Sequence, residues 1–451
     1  MSLSIVILAA GKGTRMSSDL PKVLQPLAKK PLLHYVISTA KFLQPKEIIV
    51  VIGYQSELIK ETFKDEEIVW VMQDKQLGTG HAVLQTVPNL KGEKTLILYG
   101  DVPLLDSADL KALINQSHNS LAVMTYVKDN PEGYGRIKRD NLEVVSIIED
   151  RDCNDIERRI NEINTGIMAA NTEKLIRWLS MLSNVNSQNE YYLTDIVALA
   201  INQGDKVYSH KALSEITISG VNSKNELVVM ERNYQSNKAH ELVSLGTHII
   251  DPSRIDIRGK LIVGKDVTID VGCIFEGDVT LGDNVYIHPY CVLKNCKVGN
   301  QTIIESFSYI DSSDIGRLNK IGPYARIRPG TTLGNDVHIG NFVEIKNSSI
   351  DQNSKVNHLS YIGDADIGKF VNVGAGSITC NYDGANKHRT IIEDDVFIGS
   401  NSQLVAPIKL GKGSTIGAGS TITKDTPVNQ LTLSRAKQIN INGWKRPSKK
   451  K

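Results

Sequence analysis

The sequence predicts two differently built parts, an α/β domain with a mostly parallel sheet followed by a parallel β-helix. Short β-rich runs alternate with helical segments in the first half, and from residue 263 onward an aliphatic residue recurs every six positions. Glycine is also unevenly distributed, with 13 of the 35 glycines in residues 1–250 and 22 in residues 251–451. We therefore expect the architecture to change near residue 250, consistent with two or three domains in 451 residues.

The composition argues against several classes of protein. The 52 Lys and Arg residues against 50 Asp and Glu leave a formal net charge of +2, so no charge excess points to nucleic acid or a membrane as partner. The five cysteines are scattered and form no CxxC pair, which fits a reducing compartment. The apolar run Leu3–Ala10 is too short to span a bilayer and lacks a basic segment before it. We expect a cytoplasmic protein.

The elements of the first half follow an α/β order. Strand–helix alternation predicts parallel strands joined by right-handed crossovers, with ligands at the carboxyl ends of the strands. The predicted strands are Ile5–Leu8, Ile48–Ile52, Thr95–Tyr99 and Ala122–Val127, and the predicted helices are Pro31–Leu43 and Ala108–Asn115.

A glycine loop follows the first strand. The segment Leu8–Met16 reads L-A-A-G-K-G-T-R-M and is followed by Lys22. Glycine lets backbone amides approach phosphate, and Arg15 and Lys22 can neutralise a triphosphate. Met16 stands at the third glycine position of G-x-G-x-x-G, and no G-x-x-x-x-G-K-[ST] is present, so neither familiar motif applies. The loop predicts a nucleotide-phosphate site of another type.

Two further segments are ambiguous when taken alone. Asp101 follows the strand Thr95–Tyr99, where a carboxylate suits Mg²⁺ but is equally typical of a turn or helix cap. Residues 73–81 read Q-D-K-Q-L-G-T-G-H and could contact a base edge or form an ordinary loop.

One long helical stretch runs from Asn222 to Leu245 without glycine or proline. Ser223 is a candidate N-cap and Gly246 ends the stretch. Its apolar face contains Leu227, Met230, Tyr234 and Leu242. We predict a rigid connector between two domains.

The second half repeats with a six-residue period. The series begins Val263, Ile269, Phe275, Leu281, Ile287 and Leu293, and it continues with occasional five-residue steps to Ile422. Three hexads make a triangular coil of about 18 residues, so residues 263–427 predict about nine coils of a parallel β-helix. An antiparallel sandwich would instead show two-residue alternation.

Irregular segments interrupt this repeat and carry polar chemistry. Arg328 and Lys346 suit a sugar phosphate. His358 suits the proton removal that acyl transfer to an amine requires, although a lone histidine is more often structural. The wide spacing of the nearby histidines disfavours zinc binding. Residues 380–389 form a polar insertion.

The motifs together resemble those of a known family. The L-A-A-G-x-G-T-R-M segment with its later P-K is similar to the signature of sugar-1-phosphate nucleotidyltransferases. With Q-L-G-T-G-H-A, Y-G-D-V-P, Y-G-R-I (134–137), E-I-N-T-G-I (162–167) and the hexads, nearly the whole chain resembles the bacterial bifunctional N-acetylglucosamine-1-phosphate uridyltransferases/glucosamine-1-phosphate acetyltransferases. The resemblance implies a Rossmann-like uridyltransferase domain (1–222), a helical linker (223–246) and a left-handed β-helix acetyltransferase domain with a C-terminal tail (247–451).

The resemblance also implies the residues of a uridyltransferase site. Arg15 and Lys22 would act on the phosphates, and Asp101 with Asn222 would bind Mg²⁺. The residues implied to contact UTP or the UDP-sugar are Leu8, Ala9, Ala10, Gly11, Lys22, Gln73, Gly78, Thr79, Tyr99, Gly100, Asp101, Gly135, Glu149, Asn164 and Asn222. Within that set, Gln73, Gly78 and Thr79 would contact uracil, while Gly135, Glu149 and Asn164 would hold the amino sugar.

For the acetyltransferase site, the resemblance makes His358 the general base. It implies that glucosamine 1-phosphate is bound by Arg328, Lys346, Tyr361 and Asn372. It implies that acetyl-CoA is bound by Ala375, Asn381, Tyr382, Ser400, Ala418 and Arg435.

The implied function is therefore two consecutive transfers. Acetyl-CoA would acetylate glucosamine 1-phosphate, and N-acetylglucosamine 1-phosphate would then react with UTP and Mg²⁺ to give UDP-N-acetylglucosamine for peptidoglycan and, where present, lipopolysaccharide. The family's acetyl site, between β-helices, implies a homotrimer. Two alternatives remain open: a single-activity nucleotidyltransferase with a structural or regulatory β-helix, and a non-catalytic binding protein. The latter would be expected to lose Arg15, Lys22 or Asp101, and all three are present.

Overall fold

The computed structural model describes residues 2–449. These form two compact units, which divide between Tyr234 and Gln235. The predicted domains 1–222 and 247–451 include Met1, Lys450 and Lys451, which lie outside the described residues. Between residues 2 and 449, no helix combines the length and the apolar character needed to cross a membrane.

The strands of the first unit are β1 Leu3–Leu8, β2 Pro26–Leu27, β3 Lys30–Pro31, β4 Glu47–Ile52, β5 Val69–Met72, β6 Lys94–Tyr99, β7 Leu121–Val127, β8 Arg136–Asp140, β9 Glu143–Ile148, β10 Glu162–Asn171 and β11 Val207–Lys211. They form a mostly parallel sheet in the order β11-β7-β10-β6-β1-β4-β5, with a β8–β9 hairpin attached to β10, while β2 and β3 pair separately. Strand β10 runs antiparallel to both β6 and β7. All four predicted strands are present.

Helices cover both faces of this sheet. They are α1 Leu32–Phe42, α2 Ser56–Thr62, α3 Thr79–Leu84, α4 Ser107–Gln116, α5 Thr172–Leu179, α6 Asp195–Asn202 and α7 Glu215–Ile218. Both predicted helices are present as α1 and α4. The short 3₁₀ helices are Thr14–Met16, Lys22–Leu24, Val87–Asn89, Asp150–Asp152 and Glu157–Arg159.

The apolar runs of the central strands explain why the sheet is buried on both sides. In β1, Ile5 and Ile7 pack into one core cluster while Val6 packs into the other. All six residues of β4 are buried. Such continuous apolar strands are typical of parallel sheets covered on both faces. The carboxyl ends of β1, β4 and β6 consequently meet at one edge of the sheet.

Helix α8 spans Lys224–Ser244 and corresponds to the predicted connector. Ser223 Oγ accepts a hydrogen bond from Glu226 N at 3.3 Å, and the Glu226 carboxylate accepts from the backbone N–H of Asn222 and Ser223, at 3.0 Å for Ser223. This capping box confirms Ser223 as the N-cap. The predicted apolar face is divided, because Leu227, Met230 and Tyr234 pack within the first unit and Leu242 packs within the second.

The second unit is a β-helix with three parallel-stranded faces. After the 3₁₀ turn Pro252–Arg254, the chain coils with one strand on each face per turn. The first face consists of His248–Ile249, Thr268–Ile269, Tyr286–Ile287, Ile303–Ile304, Lys320–Ile321, His338–Asn341, Lys355–His358, Asn372–Val373, Phe397–Ile398, Thr415–Ile416 and Leu431–Thr432.

The other two faces are joined in one sheet. Two long strands begin it and bend across both faces. Its strands are Ile255–Val263, Cys273–Leu281, Val292–Lys294, Lys297–Val298, Tyr309–Asp311, Ser313–Ile315, Arg326–Ile327, Thr331–Leu333, Glu344–Lys346, Ser349–Ile350, Tyr361–Gly363, Ala365–Ile367, Ile378–Cys380, Thr390–Ile392, Gln403–Val405, Ile408–Leu410 and Thr421–Ile422.

The hexad residues line the interior of the β-helix, as the period predicts. Ile269, Phe275, Leu281 and their successors form one continuous buried cluster, with Val263 packed against it. The parallel pairing stays in register along each face, for example Ile287 with Ile304 and Ile304 with Ile321. The polar insertion at residues 380–389 leaves the coil between Ile378–Cys380 and Thr390–Ile392.

Candidate active sites

A cavity of about 270 Å³ opens at the carboxyl edge of the sheet in the first unit. It brings together residues that are far apart in the sequence but were predicted to contact one nucleotide. Its lining contains Leu8, Ala9, Ala10, Gly11, Lys22, Gln73, Gly78, Thr79, Tyr99 and Asp101, together with Val23, Gln76, Ala82 and Glu190. Gly100 lies between two of these residues and packs against Ala9 and Val23.

Lys22, Asp101 and Asn222 form a polar cluster in this unit. The Lys22 ammonium donates hydrogen bonds to Asp101 Oδ2 and, at 3.0 Å, to Asn222 Oδ1. Val221 N donates to the carbonyl of Asp101 at 2.9 Å, which fixes the chain next to Asn222. Gly13 has a φ of +64°, and a Cβ at this position would lie 2.6 Å from Lys22 Cβ. The glycine loop therefore gives Lys22 room to reach both oxygen atoms.

The oxygen atoms of Asp101 and Asn222 form a donor set that suits Mg²⁺. No group of three or more His, Cys, Asp or Glu side chains in residues 2–449 is arranged to hold a metal ion. One carboxylate and one amide oxygen are nevertheless enough, because Mg²⁺ commonly keeps several waters and shares the phosphates of its substrate. The residues present fit a magnesium ion that binds together with a nucleotide.

Arg15 is a second cation of the glycine-loop segment, and it is not among the residues that line the cavity. It belongs to the 3₁₀ turn Thr14–Met16, is exposed, and has no ion pair among the residues that the structure describes. Its guanidinium is therefore available to phosphate groups.

The glycines of the Q-L-G-T-G-H-A motif have a structural role that the sequence did not reveal. Gly80 N donates to Tyr191 O at 2.8 Å, and Tyr191 N donates to Leu77 O at 2.8 Å. A Cβ on Gly78, whose φ is +106°, would lie 2.6 Å from Tyr191 O. The motif thus accommodates a second chain segment, which contributes Glu190 to the cavity lining.

Two amides complete the lining near this motif. Gln73 Nε2 donates to Gly78 O at 3.1 Å, and Gln76 Nε2 donates to Ala10 O at 2.5 Å. Sequence reasoning missed Gln76 and Glu190, because their role depends on contacts between distant segments. Gln76 is the first residue of the Q-L-G-T-G-H-A motif, which was the sequence signal available for it.

The predicted sugar residues lie around Tyr99 and strand β10. Asn164 N donates to Gly135 O at 2.8 Å, and Gly166 N donates to Asn164 Oδ1 at 3.1 Å. This part of β10 is irregular, since its register with β7 shifts between Asn164 and Met168. A Cβ on Gly166 would lie 2.5 Å from the Tyr99 ring, so this glycine allows the ring to pack closely.

Glu149 is a half-buried carboxyl close to the same ring. Burial raises the pKa of Glu149. The hydrogen bond that Thr194 Oγ1 donates to Glu149 Oε1 at 2.8 Å lowers this pKa, but by less. Burial also raises the pKa of the Tyr99 hydroxyl, with Glu149 and Asp101 adding to the effect. Glu149 therefore has a desolvated environment in which hydrogen bonds to a sugar hydroxyl are stronger than in water.

In the second unit, the predicted phosphate-binding residues lie on neighbouring coils of one face. Ile327 pairs with Ile345, which places Arg328 beside Lys346. Arg328 Nη1 lies 2.7 Å from Glu344 Oε1, and Lys346 Nζ lies 3.8 Å from Asp364 Oδ2. Two cationic side chains thus face one region, each next to a carboxylate.

Asp364 connects this region with the insertion. Burial opposes its ionisation, but hydrogen bonds from Asn347 and Asn381 and the charge of Lys346 outweigh that effect and lower its pKa. The insertion also brings Lys387 close to Lys346, and this ammonium lowers the Lys387 pKa. Sequence reasoning identified the insertion but did not single out Lys387.

His358 is exposed at the end of the strand Lys355–His358. Its Nδ1 lies 3.0 Å from Asn341 Oδ1 on the preceding coil. Tyr361 begins the next strand along the chain. Asn372 lies on the following coil, where it pairs with Lys355 of the strand that contains His358. The predicted base and amino-sugar residues therefore belong to adjacent strands.

Three of the predicted acetyl-CoA residues, Ala375, Ser400 and Ala418, follow one corner of the β-helix over successive coils. Asn401 N donates to Ala375 O at 2.7 Å, and Gly419 N donates to Ser400 O at 2.9 Å. Arg435 Nη1 donates to Ala418 O at 3.0 Å. Asn381 and the exposed Tyr382 lie at the start of the insertion. The predicted acetyl-CoA residues therefore occupy two successive corners of the coil.

Family models match both units of the molecule. Residues 5–160 match the model described as MobA-like NTP transferase domain. Residues 257–358 match a GMPPB C-terminal domain, and residues 389–424 match a hexapeptide repeat of succinyl-transferase. The fold and the sites thus define a nucleotidyltransferase joined to a left-handed, hexapeptide-repeat β-helix acyltransferase.

Curated relatives cover the chain from end to end. The chain is 55% identical over 449 residues to the bifunctional protein GlmU of Herminiimonas arsenicoxydans, covering 99% of both chains. Identity is 55% over 452 residues with GlmU of Nitrosospira multiformis, covering 99% and 98%, and 52% over 452 residues with GlmU of Azoarcus sp. strain BH72, covering 100% of both. The chain belongs to the bifunctional GlmU family, which confirms the predicted fold class and the predicted bifunctional acetyltransferase and uridyltransferase.

Proposed function

We propose that the cavity of the first unit binds UTP, N-acetylglucosamine 1-phosphate and Mg²⁺ for uridylyl transfer. The observation that supports this most directly is the cluster of Lys22, Asp101 and Asn222 in the unit that carries the predicted nucleotide loop. The amides of the glycine loop and the side chains of Gln73 and Thr79 surround the space for the nucleotide.

The reaction in this cavity is an in-line displacement. An oxygen of the sugar phosphate attacks the α-phosphorus of UTP, and the bond to pyrophosphate breaks. The attacking phosphate is ionised at neutral pH, so this chain has to position the reactants and neutralise charge rather than remove a proton. Lys22 and Arg15 supply positive charge, and Gly135, Glu149 and Asn164 orient the sugar. Asp101 and Asn222 would hold Mg²⁺, which supplies further charge neutralisation when bound.

The β-helix carries the acetyl transfer in this proposal. Arg328 and Lys346 bind the phosphate of glucosamine 1-phosphate, and Tyr361 and Asn372 contact the amino sugar. His358 removes a proton as the amine nitrogen attacks the acetyl carbonyl. The C–N bond forms, the C–S bond breaks, and CoA leaves as its thiol or thiolate. Acetyl-CoA lies along the corner that contains Ala375, Ser400 and Ala418, where Arg435 contacts Ala418, and it also contacts Asn381 and Tyr382 at the start of the insertion.

An exposed aromatic stack supports the proposal that the protein is a homotrimer. Tyr290, Phe307, Tyr324 and Phe342 lie on successive coils, with ring centroids 5.2, 5.0 and 5.3 Å apart. Their side chains are about half exposed. A contiguous apolar stripe of this kind is typical of a contact surface between proteins. We assign it to a neighbouring copy of this chain.

The proposal also includes the domain limits and the compartment. We place uridylyl transfer in residues 1–222, the linker in residues 223–246 and acetyl transfer in residues 247–451. UTP and acetyl-CoA are cytoplasmic metabolites, and the five cysteines are free thiols, so we place the protein in the cytoplasm.

A pair of single substitutions tests the assignment of the two reactions. We expect Asp101→Ala to abolish uridylyl transfer from UTP and to leave acetylation of glucosamine 1-phosphate within about twofold of wild type. We expect His358→Ala to do the reverse, with a loss of about 100-fold or more in acetylation. The two reactions are measured separately, and in each variant the reaction that should be unaffected serves as the control for folding. Near-wild-type acetylation in His358→Ala would refute the general-base assignment.

A further inference from the structure

The strand that contains His358 is unusual for its face of the β-helix. Most strands of this face within residues 2–449 are two residues long, whereas His338–Asn341 and Lys355–His358 are four residues long. Their pairing extends to the last residue of each, so that Asn341 is the direct neighbour of His358. The two side chains therefore leave adjacent coils on the same side.

Gly340 makes this close pairing possible. A Cβ at Gly340 would overlap the carbonyl oxygen of Asn357 on the next coil. Any side chain here would push the two strands apart at the point where Asn341 meets His358. The corner that follows is held as well, because Leu359 N donates to Asn341 O at 3.1 Å.

The backbone of His358 is fixed independently of its ring. Its carbonyl accepts hydrogen bonds from Ser360 Oγ at 2.8 Å and from Gly376 N at 3.2 Å. The ring itself has one polar contact in the described part of the chain, the 3.0 Å approach of Nδ1 to Asn341 Oδ1. Asn341 thus determines how the imidazole is oriented.

We propose that Asn341 is a positioning residue for acetyl transfer, holding His358 with Nδ1 protonated and Nε2 free to accept the proton of the substrate amine. An amide oxygen accepts only, so Nδ1 must carry the proton in this contact. The lone pair then resides on Nε2, which is directed away from Asn341. A neutral amide fixes the tautomer without adding a charge that would stabilise imidazolium.

This inference rests on the proposed general-base role of His358. The charged groups of the surrounding strands do not replace Asn341, since none of them forms an ion pair with His358 within residues 2–449. The titratable groups of these strands are Lys355 on the same strand, His338 on the preceding strand, and Arg328, Glu344, Lys346 and Tyr361 on the adjoining face.

The test compares Asn341→Ala and Asn341→Asp with wild type in acetylation of glucosamine 1-phosphate by acetyl-CoA. We expect Asn341→Ala to lower kcat by about 10-fold or more with little change in the KM of either substrate, because an unanchored imidazole is seldom correctly oriented. We expect Asn341→Asp, which keeps an acceptor in place, to retain more activity than Asn341→Ala. In Asn341→Asp, the acidic limb of the pH dependence of kcat/KM should move to higher pH, because a carboxylate next to His358 favours the imidazolium form.

Uridylyl transfer by the same preparations controls for folding and should match wild type. A kcat within twofold of wild type for Asn341→Ala, or an unshifted profile for Asn341→Asp, would overturn the positioning role. If His358→Ala itself acetylates normally, the general-base proposal fails instead. The two failures are therefore distinguishable.

Discussion

At the scale of single residues, Lys22 shows how one cation can serve two partners. Its ammonium contacts Asp101 and Asn222, and both side chains of the Lys22–Asp101 pair are more than four-fifths buried. A cation is favourable at this point because a largely desolvated carboxylate needs a neighbour of opposite charge. Mg²⁺ and the Lys22 ammonium would compete for the same two oxygen atoms, and a metal ion would release the ammonium toward phosphate.

This competition predicts a direct effect on metal binding. In the absence of nucleotide, we expect Lys22→Met to bind Mn²⁺ about 10-fold more tightly than wild type, measured by electron paramagnetic resonance. Arg15→Ala is the control, because it also removes a positive charge from the glycine-loop segment, whereas the cation that contacts Asp101 is Lys22. Equal affinities for wild type and Lys22→Met would show that the ammonium does not compete with the metal.

At the scale of elements, the segment after residue 189 completes a site that begins in the Q-L-G-T-G-H-A loop. Backbone hydrogen bonds join Leu77 and Gly80 to Tyr191, and Leu193 N donates to Thr79 Oγ1 at 3.2 Å. Thr194, next in the chain, donates to Glu149. This segment thus connects the predicted uracil loop with the predicted sugar carboxyl.

Gly78→Ala tests the importance of that contact. The added Cβ would meet Tyr191 O at 2.6 Å, so we expect uridylyl transfer to fall by about 10-fold or more with a raised KM for UTP, while acetylation is unchanged. Gly204→Ala provides the control, because Gly204 also has a positive φ, +82°, but open space at its Cβ. If both variants lose uridylyl transfer equally, backbone strain rather than the Tyr191 contact is responsible.

At the scale of the whole molecule, the β-helix presents an apolar stripe that its own fold does not cover. The stacked rings from Tyr290 to Phe342 occupy corners where each residue has a positive φ, and Leu359 follows them next to His358. Aromatic residues at four such corners cost backbone energy that polar residues such as Asn would reduce. Contact with another copy of the chain would offset that cost.

Phe307→Glu tests this assembly. A charge in the middle of the stripe should shift the protein from trimer to monomer in sedimentation velocity and reduce acetylation, while uridylyl transfer remains close to wild type. Leu213→Glu, at an 82% exposed leucine of the first unit, should leave the mass and both activities unchanged. A trimeric Phe307→Glu variant would exclude the stripe as the contact surface.

The fold class of each half of the protein follows from its amino-acid sequence alone. The continuous apolar strands predicted a buried, mostly parallel sheet, and the hexads from Val263 to Ile422 predicted a three-sided coil. Both predictions are possible because the order of apolar residues along the chain shows which side chains are buried. Its motifs also identified the family, since residues such as Lys22, Asp101 and His358 stand in recognisable local contexts.

Which of these residues contact one another depends on the three-dimensional fold. The contacts of Lys22 with Asn222, of Gly78 with Tyr191 and of Asn341 with His358 join segments that are separate in the chain. Sequence reasoning missed Glu190, Asn341 and Lys387, because no periodicity or motif describes a side chain whose role is set by a neighbour on another strand or loop. The apolar face of α8 likewise divides between two cores, since a helical period specifies a buried stripe but not what covers it.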